Sequence, residues 1–182
     1  RRIGGGRNEI EADPAVARGR VFVIKALCEM DRLPSLMERY QPAVTLWVFR
    51  HYEGAVRSSL RSFNRVAEHV SDLVADPGSH GWMGRGMSPA THARIRELHH
   101  PAMNDASRVA LFWYIRNRLL QDLGLDDDPR VRLVQYERLL RAPHEELATV
   151  FGCLGLAYRP AIGADVRHQA RHGTNPLPIE PA

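Results

Sequence analysis

The chain has 182 residues, 44% of them hydrophobic and 25% charged, with a formal net charge of +4. That length supports one domain with a substantial core and argues against two. No apolar run reaches the ~18 residues of a membrane span, and two cysteines are too few for a disulfide scaffold. The expectation is a single cytoplasmic domain over residues 1–182, with Cys28 and Cys153 as buried thiols. A pI near 9.5 leaves room for an anionic partner.

Residues 1–19 are glycine-rich and charged without a clear period, and read as irregular. "RVFVI" then reads as a strand buried on both faces, short and β-branched, ending at Lys25. "RLPSLMERY" predicts a short helix with Pro34 in its first turn. "AVTLWVF" is a second buried strand, ending at Arg50. One long helix is expected from about Glu53 to Val74, with Ala55, Leu60, Phe63, Val66 and Val70 inward.

Residues 75–104 scatter Pro, Gly and His, and read as a lid or acceptor-binding excursion with a short helix near Thr91–Leu98. Asp105 is expected to cap the apolar helix "SRVALFWYIRNRLLQDL", which Gly124 closes. "VRLVQY" predicts a third strand and "PHEELATVFGCLGL" a last helix. The tail, residues 167–182, shows no packing pattern. Buried strands alternating with helices imply an α/β fold: a three-layer parallel sheet flanked by helices.

Ligands of open parallel sheets collect at the carboxyl ends of the strands. Lys25, Arg50 and Tyr136 all fall at such ends, and Lys25 is the chain's sole lysine among 25 basic residues. The alternative for Lys25 is a solvated or salt-bridged surface cation. Ser58 stands eight residues past Arg50 in the opening turns of the expected helix. Free N–H groups and the helix dipole favour an anion there, and a guanidinium with a hydroxyl supplements them. Arg57, Arg61 and Arg65 form a basic stripe on the same helix, which is ordinarily a solvated face.

The ordered set of Lys25, Arg50, Ser58 and Tyr136-Glu137, followed by "LLRAPHEELATVFGCLGL", resembles the sulfotransferases that use 3′-phosphoadenosine 5′-phosphosulfate (PAPS). The resemblance runs from about Arg20 to Leu156 and implies a P-loop NTPase-like sulfotransferase fold. It implies that Arg50 and Ser58 bind the 3′-phosphate, that Tyr136 flanks the adenine, and that Lys25 supports the bridging oxygen during transfer. "RHGT" is similar to a segment that closes over the same phosphate, which adds Arg171 and Gly173 as cofactor-binding candidates; an unstructured tail is the competing reading. The implied cosubstrate is PAPS, with PAP as product and a hydroxyl or amine of a small molecule or glycan as acceptor.

The family's phosphate loop, Pro-Lys-Ser-Gly-Thr-Thr or a relative, has no counterpart here, because "IGGGRNEI" has no lysine and no Ser/Thr pair. Three explanations stay open: a loop upstream of Arg1, which the start without methionine favours; a circularly altered fold; or loss of PAPS binding. The last would leave a non-catalytic nucleotide-binding or scaffold protein. Leu27 occupies the position where many members carry a histidine base. Glu29, Asp31, the histidines of the excursion and upstream residues are the alternatives. Nine histidines occur, but no H-E-x-x-H or Cys/His ligand spacing, so no metal is expected. No motif interleaves aromatics with arginine, so nucleic acid is not an expected partner. Trp82 is a candidate for lining an acceptor pocket, whereas Trp113 reads as core. Oligomeric state is unconstrained, with a homo-oligomer possible.

Overall fold

A computed structural model describes residues 21–62, 65–164, 166 and 177–179. In chain order the elements are α1 (Leu33–Arg39), β1 (Thr45–Phe49), α2 (Tyr52–Ser62), α3 (Val66–Ala75), α4 (Pro89–Leu98) and α5 (Asp105–Asp122). They continue with β2 (Val131–Gln135), α6 (Tyr136–Arg141) and α7 (Pro143–Cys153). The protein is α/β, and its described sheet is a parallel pair, β1 beside β2, in the register Thr45↔Val131 through Phe49↔Gln135.

Helix α5 is the spine, because its apolar residues recur at helical spacing on more than one side. Its last turns, Leu119 and Leu120, join Met37 of α1, Trp47 of β1 and Leu125. Its middle, Leu111 and Ile115, packs with Val70 and Val74 of α3 and Ile95 of α4. Its first turns, Ala106 and Val109, meet Val56 of α2 and Ala67 of α3. Full burial of one such side chain is worth about 1.5–3 kcal/mol, so three clusters on one helix commit most of the layer to it.

The helix ends follow from side-chain chemistry. Asn104, rather than Asp105, caps α5, its side chain accepting from Ser107 N at 2.9 Å. Both residues are good caps, but only Asn104 has the extended backbone the position requires. Gly124 (φ +64) follows the end of α5 in the left-handed region, which costs glycine little. Ser88 caps α4, and the hydroxyls of Ser88 and Thr91 both donate to Asp122 at 2.8 Å. His92 Nε2 lies 2.8 Å from Val74 O. Residues 76–104 are thus folded onto α3 and α5, through the turn Gly81–Met83 and α4.

Several sequence expectations are corrected. Residues 21–24 form no strand; they are exposed, from Val21 at 50% to Val23 at 86%. A strand is stable through its ladder partners, and no described strand pairs with this segment. The long helix over Glu53–Val74 is two helices, α2 and α3, and Phe63 lies outside the described residues. Tyr136 opens a helix, α6, instead of ending the strand. Cys28 and Cys153 are free thiols but half-buried. From the tail, Leu177 and Ile179 pack on the cluster of Val56, Ala67, Ala106 and Val109, and Pro178 O accepts from Asn104 Nδ2 at 2.6 Å. Among the described residues no helix is long and apolar enough to cross a membrane.

Candidate functional site

The register of the parallel pair decides which residues meet. Phe49 is level with Gln135, so the next residues, Arg50 and Tyr136, leave the sheet side by side at its carboxyl edge. The Arg50 guanidinium lies over the Tyr136 ring, 4.8 Å from its centroid. Such a stack is worth about 0.5–2 kcal/mol, depending on desolvation. Its other neighbour is the first turn of α2. A Cβ on Gly54 would stand 2.6 Å from Arg50 Nε and 3.0 Å from Nη2, so only glycine admits the side chain in this posture. Arg50, Tyr136 and Ser58 are all half-buried.

Two further contacts hold the corner. Trp113 Nε1 on α5 donates to Arg50 O at 3.0 Å, which fixes the backbone where β1 turns into α2. His51 N donates to Glu137 Oε1 at 3.0 Å, tying the start of α2 to the start of α6. The second Glu137 oxygen, Oε2, is buried without a hydrogen-bond partner. Tyr52 packs edge-on against Trp113, with centroids 6.2 Å apart. Ser58 lies four residues past Gly54, one turn further along the same face of α2.

The other sequence candidates are placed as follows. Lys25 is exposed on the unpaired segment, so it does not stand at a strand end. Arg171 and Gly173 lie outside the described residues. Asp31 faces Arg85 at 3.5 Å, and its Oδ1 is buried with no hydrogen-bond partner; Glu29 is exposed beside the turn Met30–Arg32. Trp82 packs edge-on against Phe112, and Arg116 stacks on its ring while donating to its carbonyl at 2.7 Å. Burial holds the Arg116 guanidinium below the usual arginine range, with Asp31 opposing that shift. Trp82 is thereby part of the packing between the turn Gly81–Met83 and α5.

The opposite, amino-terminal edge of the sheet is spent on structure. A surface groove of about 720 Å³ there is lined by Pro34, Glu38, Leu123 and Arg130 among others. Its charges are mutually engaged: Arg130 donates to Asp128 at 2.7 Å and to Glu38 at 2.8 Å. The paired guanidinium holds the Asp128 carboxyl below its ordinary range, and Arg130 is raised in return. Its location, away from the strands' carboxyl ends, sets it apart from the Arg50–Tyr136 corner.

The sequence singles out Arg50 and Tyr136 as candidates but not the residues that support them. Gly54 carried a usable signal, since a glycine inside a helix costs about 1 kcal/mol against alanine and asks for a reason. Glu137 entered only as part of the Tyr136-Glu137 pair and Trp113 only as core, because their supporting contacts depend on which elements become neighbours. Comparison with protein-family models, with curated proteins and with solved structures finds no match to this chain.

Proposed function

We propose that this protein is a PAPS-dependent sulfotransferase, moving a sulfuryl group to a hydroxyl or amine of a small-molecule or glycan acceptor. The observation that carries the reading is the Arg50–Tyr136 stack at the carboxyl edge of two parallel strands, with Ser58 on the helix that follows. A guanidinium and a hydroxyl suit a fixed phosphate, and a tyrosine ring suits an adenine. In this reading Arg50 and Ser58 hold the 3′-phosphate, Tyr136 flanks the base, and Arg171 with Gly173 closes over the phosphate.

The reaction breaks the bond from sulfur to the bridging phosphate oxygen and forms a bond from sulfur to the acceptor oxygen or nitrogen. The acceptor proton passes to a base, and PAP departs. Catalysis by such an in-line displacement is mostly positioning and charge neutralisation. Lys25 is assigned to the leaving oxygen, which a compact ammonium approaches as a point charge. The finer fold belongs to the same proposal. It adds further strands to the β1–β2 pair to complete a three-layer parallel sheet. Support comes from the exposed apolar run Val21–Ile24 and from Val48 and Leu133, 59% and 58% exposed on a parallel pair, since such sheets are ordinarily covered on both faces.

A second reading, a non-catalytic nucleotide-binding or scaffold protein of this fold, is favoured by the lack of a phosphate loop within residues 1–182. Two measurements on the protein from the complete gene separate them. A sulfotransferase binds PAP and turns PAPS over, and Lys25→Ala spares PAP binding while slowing turnover by orders of magnitude. A scaffold binds PAP without turnover. A turnover rate unchanged by Lys25→Ala removes that residue from the mechanism.

A further inference from the structure

Helix α3 and the turn after it assemble three metal-capable side chains that lie far apart in composition-based reading. His69 and Asp72 are three residues apart on α3 and therefore share a face. The chain then reverses tightly: Asp76 N closes the helix on Asp72 O at 2.8 Å, Gly78 N donates to Asp76 Oδ1 at 2.9 Å, and Ser79 N donates to Asp76 O at 3.0 Å. That reversal returns His80 over the same face. The His80 ring sits 4.0 Å from the His69 ring, tilted by 36°, and its Nε2 is 2.9 Å from Asp72 Oδ2.

One ligand atom from each of the three residues lies within 4.8 Å of the other two. A tetrahedral ion with bonds of about 2.0–2.2 Å needs ligand atoms about 3.3–3.6 Å apart. Side-chain rotations would close the longest separation by about 1–1.5 Å and open the 2.9 Å His80–Asp72 contact by about 0.5 Å. The donor set, two imidazoles and one carboxylate, is of borderline hardness and suits zinc better than calcium or magnesium. One side of the cluster is sheltered, since the His80 side chain is 25% exposed, while Asp72 at 61% leaves an entry from solvent.

We propose that His69, Asp72 and His80 form a three-ligand site for a divalent transition ion, Zn²⁺ foremost, with water at the fourth position. The inference is independent of the nucleotide site and of the sulfotransferase reading. The turn, not the sequence spacing, creates it: His69-x2-Asp72 and His80 match no standard ligand motif, and the reversal at Asp76 supplies the third group.

The test is a calorimetric titration of the full chain with zinc chloride, repeated on His69→Ala, His80→Ala and Asp72→Asn. Wild-type protein is expected to take up one saturable equivalent. Each single variant should bind roughly tenfold more weakly or worse, since loss of a supporting contact alone costs about 10–100-fold. Co²⁺ bound to the wild type should show the intense absorption of a tetrahedral centre, lost in His80→Ala. Circular dichroism checks that each variant is folded; if a histidine variant is not, Asp72→Asn supplies the same readout from an exposed position. No saturable equivalent in the wild type, or undiminished affinity in the folded variants, overturns the proposal, the latter placing the ion elsewhere, as at His99-His100.

Discussion

Replacing Gly54 by alanine separates the architecture of the Arg50 corner from its stability. The added Cβ would stand 2.6 Å from Arg50 Nε, 3.0 Å from Nη2 and 3.1 Å from Cζ. Ordinary contact begins at ~3.5 Å, so the guanidinium must retreat by about 0.9 Å. All three atoms are at the mobile end of a long side chain, so it can swing away, giving up its stack on Tyr136 at a cost of about 0.5–2 kcal/mol. Against that stands the gain from removing a glycine from α2, about 1 kcal/mol. The two nearly cancel, and urea unfolding should place Gly54→Ala within ~1 kcal/mol of wild type. Ligand binding should not cancel. A charge-assisted hydrogen bond to phosphate is worth about 1.5–3 kcal/mol, so a displaced guanidinium should weaken PAP at least tenfold in calorimetry. Unchanged PAP affinity in a normally stable variant would refute the claim that this posture of Arg50 is the binding posture.

Further expectations follow from individual contacts. Trp113→Phe removes the donor to Arg50 O together with the five-membered part of the indole, and should cost at least about 1 kcal/mol in urea unfolding; an unchanged midpoint would mean that neither contact holds the corner. Asp122→Ala strips the acceptor from Ser88 N, Ser88 Oγ and Thr91 Oγ1. With Thr91 only 2% exposed, a loss of at least ~2 kcal/mol is expected, and a smaller one would show that α4 is held mainly by Ile95 and His92. Burial first, then Arg108 and His100, pushes His99 below its ordinary value of 6.5. The unfolded chain therefore binds the proton more readily, so His99's contribution is full above 6.5 and is lost as pH falls through the folded value. His99→Gln should flatten that part of the stability–pH curve, and an unaltered slope between about pH 5 and pH 7 would contradict it.

How much could be read from the sequence varies with the kind of signal. Thr45–Phe49 and Val131–Gln135 were legible as short β-branched runs, and both are strands. Val21–Ile24 carries the same signal yet forms none, because apolarity announces burial while a strand needs a neighbour to bond. The break between α2 and α3 was hidden because apolar residues continue across it in the sequence at near-helical spacing. The cap of α5 was expected at Asp105, but its neighbour Asn104 is an equally good capping type, and the backbone geometry selects Asn104. Leu177 and Ile179 were invisible as packing residues, since three residues between prolines and polar groups carry no period. At the candidate site, strand ends pointed to Arg50 and Tyr136, and the parallel register is what sets one ring beneath the other charge.

In the proposed function the Arg50–Tyr136 corner holds a 3′-phosphorylated adenosine nucleotide. Calorimetric titration of the complete protein with PAP, wild type against Arg50→Ala, tests it most directly. Saturable binding is expected in the wild type, weakened about 10- to 100-fold by the loss of one charge-assisted phosphate contact. Equal affinity in the two proteins, or no binding by the wild type, would contradict the assignment.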